Sequence, residues 1–101
     1  EATKHAALVP MQVARNAYKL MTIIMNVARL GNRNAVTDAC VAMMSARAAV
    51  LGALLNVRIN LGSLKDKEFV AQLQQEADEL GQLACAKEKE LLEAINQELK
   101  V

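Results

Sequence analysis

The side chains best suited to chemistry in this sequence are one carboxyl group and several amides around the expected second helix. Asp38 is one of two acidic residues among the first 64, and it follows Thr37 near the expected start of that helix. There the helix dipole favours its charged form, and a carboxyl group can transfer a proton to or from a substrate. An equally good interpretation is that Asp38 or Thr37 only caps the helix.

Two asparagines further along the chain form a second candidate group. Asn56 and Asn60 stand four residues apart, which places them on one helical face, so their amides can converge on one ligand or on one neighbouring backbone. The backbone contact is the commoner role of a buried asparagine. Arg58 points about 200° away from Asn56 around the helix and cannot share that face.

The composition indicates that helices position these groups. The 101 residues are 53% hydrophobic but 2% aromatic, with one proline and four glycines, and they are rich in the strong helix formers alanine and leucine. A chain of this length forms one domain. We predict an all-α fold, an antiparallel bundle of three long helices, as a single unit over residues 1–101. The predicted helices are 3–30, about 35–60 and about 67–99.

Each predicted helix carries an apolar stripe at steps of three or four residues, which we expect to form the core. The first stripe is Val9, Val13, Ala17, Leu20, Ile24 and Val27. The second is Val36, Cys40, Met43, Val50, Leu54, Val57 and Leu61. The third is Phe69, Leu73, Ala77, Leu80, Ala84, Leu91 and Ile95.

The helix ends are predicted from proline, glycine and capping residues. Pro10 indicates either a kink in the first helix, which we favour, or a true helix start one residue earlier. Gly31 and Asn32 are typical of a left-handed helix stop, so a turn over 31–34 should follow the first helix. In the second turn, 61–66, Ser63 and Asp66 resemble an N-terminal capping pattern for the third helix.

A second stripe on the predicted second helix consists of small or polar residues. Its members, here called the small stripe, are Asp38, Ala42, Ser45, Ala49, Gly52, Asn56 and Asn60. Small side chains allow the backbone of another helix to approach closely. We therefore expect a neighbouring helix on this face, with polar groups at both ends.

The charges are unevenly distributed along the chain. Residues 1–64 contain seven basic and two acidic groups, whereas residues 65–101 contain five basic and nine acidic ones. This favours antiparallel docking of the third helix and an anionic ligand beside the first two. Arg29, Arg33 and Arg47 could attract such a ligand, or could lie on a solvated rim; Arg47 falls on the apolar stripe and would need a partner if buried. A net charge of +1 argues against nucleic acid as the main partner.

The composition argues against a zinc site, a disulfide framework and a membrane-spanning segment. Two cysteines, Cys40 and Cys85, with the single His5 cannot supply a zinc site of four Cys and His ligands, so no metal is expected. Core packing is the expected role of both cysteines. Without a disulfide framework, a reducing, cytoplasmic location is the simpler expectation. The longest apolar run, 48–55, is bracketed by Arg47 and Arg58 and is too short to span a bilayer.

Two segments are more specific than helical periodicity requires. Gly31-Asn32, followed by Thr37-Asp38, reproduces a Gly-Asn-x-x-x-x-Ser/Thr-Asp turn, and residues 56–61 read Asn-Val-Arg-Ile-Asn-Leu. Both resemble the second half of the formimidoyltetrahydrofolate cyclodeaminase and methenyltetrahydrofolate cyclohydrolase family. The segment that starts at Val9 and the acidic last helix resemble the same family less specifically, so the resemblance covers essentially the whole chain.

This resemblance implies an all-helical, usually dimeric protein that acts on a one-carbon substituted tetrahydrofolate. In histidine degradation the family reaction closes 5-formimidoyltetrahydrofolate to 5,10-methenyltetrahydrofolate and releases ammonia, and relatives instead hydrate the methenyl bridge. A fused or neighbouring formiminotransferase would favour the first activity. The resemblance makes Asp38 the catalytic candidate, either as proton donor to the departing amine or as a partner of the pterin ring, and makes the nearby amides substrate-binding candidates: Asn32, Asn34, Asn56 and Asn60.

The sequence also departs from that family. Its members begin with a Gly-Gly-Gly-Ser helix start and further helices that build much of the site, and no such segment occurs in these 101 residues. We therefore expect the C-terminal portion of a cyclodeaminase-like domain, inactive by itself. The alternative from another class is a noncatalytic helical module whose small stripe serves oligomerisation alone.

Overall fold

The computed structural model describes residues 2–31 and 33–99, which contain three helices and no strand. Helix α1 is Ala2–Leu30, α2 is Arg33–Leu61 and α3 is Lys67–Leu99. The all-α fold is confirmed, and α3 has the predicted bounds. Helix α2 begins two residues earlier than predicted, so that Arg33 and Asn34 belong to the helix rather than to the turn.

At Gly31 the structure differs from the left-handed stop that the sequence predicted for Gly31 and Asn32. No described glycine has a positive φ, and the Gly31 N–H donates to the Val27 carbonyl at 2.7 Å, continuing the α-helical pattern. A Cβ at Gly31 would lie 2.9 Å from that carbonyl oxygen, so the close approach is what requires glycine. Asn32 lies outside the described residues. Near the N-terminus, α1 continues through Pro10, so the alternative prediction of a helix start next to Pro10 is wrong.

The second turn is fixed by Asp66, which caps α3 as predicted. The Phe69 N–H donates to Asp66 Oδ1 at 3.1 Å. Lys4 Nζ lies 2.7 Å from Asp66 Oδ2, and this hydrogen bond, followed by that from Phe69, lowers the pKa of the Asp66 carboxyl. Ser63 takes no part in the cap, because its hydroxyl donates to the Asn60 carbonyl at the end of α2.

Ion pairs between the helices establish the topology. From α1, the pairs with α3 advance together along both helices: Lys4–Asp66, Arg15–Glu76 and Arg29–Glu90. From α2 they run in opposite directions: Arg47–Glu88 and Arg58–Asp78. Helix α3 is therefore antiparallel to α2, as the charge distribution predicted, and parallel to α1. The basic first part and the acidic last part of the sequence meet in these five pairs.

The apolar stripes of α2 and α3 form the core as predicted. Every member of the α2 stripe is buried, as are the α3 residues Leu73, Ala77, Ala84, Leu91 and Ile95, while Phe69 and Leu80 are half-buried. Leu51 and Leu54 of α2 come close enough to Gly81 of α3 to touch a Cβ placed there.

Helix α1 buries a different side from the one predicted. Its core residues are Ala7, Met11, Ala14, Met21, Met25 and Ala28. The predicted stripe is largely on the surface: Val9, Val13, Leu20 and Val27 are about half exposed, and only Ala17 and Ile24 pack at its edge. Two apolar series run along this helix, and alanine with flexible methionine allows the closer packing on α2.

Of the predictions for the two cysteines and the small stripe, only that for Cys40 is confirmed. Cys40 is buried, and this burial raises the pKa of its thiol. Cys85, expected in the core, is exposed, because it lies one helical step beyond Ala84. The small stripe is mostly exposed, and a Cβ at Gly52 would meet nothing within 4 Å. The helix expected to approach this stripe is therefore not among the described residues of the chain.

Helix α2 is long and apolar enough to cross a membrane by length and composition alone. This differs from the expectation drawn from its short uninterrupted apolar runs. Helices that carry the core of a globular domain meet the same criterion, and α2 contributes ten buried residues between α1 and α3. Packing within the bundle therefore accounts for its apolar character.

The ion pair between Arg15 and Glu76 should make stability depend on pH. Arg15 donates from Nε to Oε2 at 2.5 Å and from Nη2 to Oε1 at 2.6 Å, and this bonding lowers the pKa of the Glu76 carboxyl. A carboxyl group whose pKa is lower in the folded than in the unfolded state stabilises the fold at pH values above its unfolded pKa of about 4.3. This stabilisation is lost as the pH falls through the pKa of the folded state.

We expect Glu76→Gln to reduce the free energy of unfolding more at pH 7 than at pH 3. Urea unfolding of the wild type and the variant at the two pH values measures this. An equal loss at both would contradict the role assigned to the Arg15 contact.

Candidate functional site

A cleft lies at the end of the bundle where α1 turns into α2. Its volume is about 640 Å³, within the range of about 300–1,000 Å³ typical of small-molecule sites. The last turns of α1 and α3 and the first turn of α2 form its walls. It is lined by Met25, Ala28, Arg29, Gly31, Arg33, Val36, Glu90, Leu91, Ala94, Ile95 and Glu98.

The cleft combines an apolar floor with a charged rim. The floor includes the buried side chains of Met25, Val36 and Ile95. On the rim, Arg29 Nη2 lies 2.9 Å from Glu90 Oε2, and both side chains are about 60% exposed. An exposed ion pair of this kind stabilises a fold by about 0–1 kcal/mol, so a ligand carboxylate could replace Glu90 at little cost.

The second rim arginine is positioned by the start of α2. Arg33 is the first residue of that helix, and its Nη2 donates to the backbone carbonyl of Glu98 at 3.1 Å. A guanidinium has five N–H donors, so this contact leaves capacity for a ligand. The short turn places Arg29 and Arg33 on the same cleft, which suits an anionic group beside an apolar body.

Asp38, the catalytic candidate, lies near this cleft but not in it. Its side chain is exposed, and it stands two residues, about 200°, around α2 from Val36 on the cleft floor. Because α2 begins at Arg33, Asp38 and Thr37 are in the second turn and cannot cap the helix. The capping interpretation is therefore wrong. Asn34 is exposed on the same side, four residues before Asp38.

The other two amide candidates lie at the far end of α2. Asn56 is 18 residues from Asp38, about 27 Å along the helix. Asn60 Nδ2 donates to the Asn56 backbone carbonyl at 2.8 Å, so of the two alternatives for Asn60 the backbone contact is the one observed, within its own helix. The described chain thus separates Asn34 and Asp38 from Asn56 and Asn60. Asn32 lies outside the described residues.

Arg47, one of the three arginines considered for an anionic ligand, is held by α3, and so is Arg58. Arg47 Nε donates to Glu88 Oε2 at 2.8 Å, and both side chains are partly buried. Glu88 is the partner that the place of Arg47 on the apolar stripe was predicted to require. Arg58 Nη2 lies 3.3 Å from Asp78 Oδ1, away from Asn56 as predicted. Among the described residues, no cluster of three or more His, Cys, Asp or Glu side chains could hold a metal ion.

Comparison with known proteins identifies the turn and its surroundings. The sequence profile described as formiminotransferase-cyclodeaminase matches residues 1–79, which is most of the chain and includes the whole of α1, both turns and α2. The chain belongs to the formiminotransferase-cyclodeaminase family. This membership confirms the resemblance inferred from the turn at Gly31 and from the end of α2.

A curated relative within this family is a methenyltetrahydrofolate cyclohydrolase from Methylorubrum extorquens strain AM1. It is 32% identical over 99 residues, which are 98% of this chain but 48% of the relative. The chain thus spans about half the length of this folate enzyme.

The α3 wall of the cleft was not found by sequence reasoning. Glu90, Leu91, Ile95 and Glu98 lie about 60 residues beyond the turn, and nothing in their local spacing connects them with it. The excess of acidic groups in the last helix was the available signal. Antiparallel pairing of α3 with α2 brings its acidic end to Arg33.

Proposed function

We propose that this chain is part of a folate-dependent enzyme that closes 5-formimidoyltetrahydrofolate to 5,10-methenyltetrahydrofolate with release of ammonia, as in histidine degradation. The observation that carries the proposal is the position of the cleft. It lies beside the turn at Gly31 that resembles the family motif, and two arginines stand on its rim.

The chemistry of the cleft fits a folate. A folate has a flat pterin, an aminobenzoyl ring and a tail with carboxylates. The apolar floor of Met25, Val36 and Ile95 suits the rings, and Arg29 and Arg33 suit the tail. Both arginines sit at the surface, so a tail of several glutamates could extend into solvent.

Asp38 supplies the proton in this proposal. The reaction forms a bond between N10 and the formimidoyl carbon and breaks the bond between that carbon and its amine nitrogen. The nitrogen leaves as ammonia after it takes up the proton lost by N10 and one further proton, which Asp38 delivers. Asp38 stands five residues, about 8 Å, beyond Arg33 along α2. A ligand held by the rim arginines would have to extend along the first two turns of α2 to bring its one-carbon group to Asp38 and the Asn34 amide. Asn32, Asn56 and Asn60 stay proposed substrate contacts.

Two alternatives have specific support. The name of the Methylorubrum relative favours a methenyltetrahydrofolate cyclohydrolase, in which water attacks the same one-carbon bridge. The exposed small stripe favours a noncatalytic oligomerisation module. The cyclodeaminase reaction would also need a formiminotransferase, fused or neighbouring, to supply its substrate. We propose that the two activities are located in the cytoplasm.

Two assays of the full-length gene product separate these functions. A cyclodeaminase should release ammonia from 5-formimidoyltetrahydrofolate as the absorbance of the methenyl product rises. A cyclohydrolase should instead remove that absorbance when given 5,10-methenyltetrahydrofolate, without ammonia. Inactivity in both assays, with no folate binding, would leave the oligomerisation module. The 101-residue chain is expected to be inactive in either assay.

A further inference from the structure

The two arginines on the rim of the cleft have different partners. Arg29 Nη2 lies 2.9 Å from Glu90 Oε2, so a carboxylate of the chain itself balances this guanidinium. Arg33 Nη2 donates to the Glu98 backbone carbonyl at 3.1 Å. Within the described part of the chain, Arg33 forms no ion pair with a carboxylate. The charge of Arg29 is thus balanced within the bundle, whereas that of Arg33 is not.

Arg33 is the exception among the arginines of this sequence. There are five arginines, and the other four each pair with an acidic residue of α3. These pairs are Arg15–Glu76, Arg29–Glu90, Arg47–Glu88 and Arg58–Asp78. Arg33 instead contacts a carbonyl in the last turn of α3, where the backbone carries only partial negative charge. Arg33 therefore keeps both charge and N–H donors for an anionic ligand.

Glu90 competes with a ligand anion for Arg29. Both side chains line the cleft and are about 60% exposed, so a ligand can reach them without opening the bundle. A carboxylate that approaches Arg29 must displace Glu90 or lie beside it, and two carboxylates at close range repel each other. At Arg33 the competitor is a backbone carbonyl, which leaves most of the guanidinium N–H groups available. Glu90 therefore weakens anion binding at one of the two rim positions.

The strength of these contacts decides which anions the cleft can hold. An exposed ion pair contributes little free energy, whereas association costs a small molecule much of its translational and rotational freedom. A small free anion offers only the charge contact, and with Arg29 occupied it meets one available arginine. A ligand with an apolar part also buries surface against Met25, Val36 and Ile95 on the floor, which supplies most of its affinity.

We propose that Glu90 determines the specificity of the cleft. By holding Arg29, it prevents the two arginines from binding a small free anion together, and it yields to a ligand carboxylate only when the rest of the ligand fills the apolar floor. A charged group placed against an unwanted ligand is a common source of specificity. This inference rests on the proposed function, because a folate combines flat rings with a carboxylate tail.

Tetrahydrofolate binding by the full-length gene product tests the role of Glu90. Calorimetry compares the wild type with Glu90→Gln and Glu93→Gln, each of which removes one negative charge. Glu93 is the matched control, since it forms an exposed ion pair with Lys89 on the same helix and does not line this cleft. Glu90→Gln should bind tetrahydrofolate at least threefold more tightly than the wild type, while Glu93→Gln should bind it like the wild type. A gain in affinity cannot result from misfolding.

Competition by N-acetylglutamate, which carries the carboxylates of the folate tail without the rings, tests the specificity itself. At millimolar concentration it should weaken tetrahydrofolate binding by Glu90→Gln at least threefold and leave binding by the wild type unchanged. Adding Arg29→Gln to Glu90→Gln should abolish both the gain in affinity and the competition, because the second arginine is then absent.

The outcomes separate the role of Glu90 from the folate proposal. The same tetrahydrofolate affinity in Glu90→Gln and Glu93→Gln, or equal competition in Glu90→Gln and the wild type, would overturn the specificity role and leave the folate site intact. A double variant that keeps the gain in affinity would likewise overturn the role assigned to the Arg29 contact. No tetrahydrofolate binding by any of these proteins would overturn both proposals.

Discussion

Replacing Asp38 by asparagine should lower the turnover of the full-length gene product by about a hundredfold or more without lowering its melting temperature. Asparagine keeps the size of the side chain but removes its charge and its titratable proton. Proton transfer by a positioned group contributes about 10²–10⁴ to rate. Because Asp38 is exposed in the second turn of α2, the change costs no core contact and no cap. Steady-state kinetics of ammonia release and a thermal melt measure the two effects.

The control for this experiment is an acid far from the turn. Asp78 is exposed on α3 and pairs at 3.3 Å with Arg58, which is 20 residues, about 30 Å, from Asp38 along α2, so Asp78→Asn removes a surface charge far from Asp38. Its turnover should stay near that of the wild type. If Asp38→Asn also turns over normally, with an unshifted melting temperature, Asp38 is not the proton donor and the catalytic group lies elsewhere in the enzyme.

The largest effect on stability is expected from Leu54→Ala. Leu54 is fully buried in the middle of α2, and its Cδ1 lies 3.5 Å from where a Cβ on Gly81 would be. Shortening it removes apolar contacts and leaves a cavity between α2 and α3. Substitutions of this type cost about 2–5 kcal/mol, a large part of the stability of a small domain. Urea unfolding monitored by circular dichroism provides the measurement.

The next residue along the chain supplies the matched control. Leu55 has the same side chain in the same helix but is 61% exposed. Leu55→Ala should change the free energy of unfolding by about 0.5 kcal/mol or less, as surface substitutions usually do. Comparable losses for Leu54→Ala and Leu55→Ala would show that the assigned orientation of α2 in the bundle is wrong.

Helical periodicity predicted most of this fold because the apolar stripes predicted for α2 and α3 are the ones that pack in the core. In α2 the stripe from Val36 to Leu61 is buried throughout, and in α3 the predicted bounds hold. Helix α1 was assigned the wrong side because it carries two apolar series, one of branched residues and one of alanine and methionine. Spacing alone cannot rank two such series, since the choice depends on which fits more closely against α2.

The site was predictable only in part, for a similar reason. The turn at Gly31 is local, so its motif could be read directly from adjacent residues. The α3 wall, with Glu90 and Glu98, is brought to the turn by the pairing of whole helices. Asp38 and Asn60 lie far apart because they stand near opposite ends of α2. The family motifs had suggested that these two residues belong to one site.

Folate binding measured by calorimetry tests the central claim, that the cleft beside the α1–α2 turn receives the folate. Tetrahydrofolate is titrated into the full-length gene product, its Arg33→Gln variant and its Arg58→Gln variant. Both arginines contact α3, but they stand 25 residues, about 37 Å, apart along α2. We predict that Arg33→Gln weakens binding at least tenfold while Arg58→Gln binds like the wild type. No binding by the wild type, or the same affinity in all three proteins, would contradict this account.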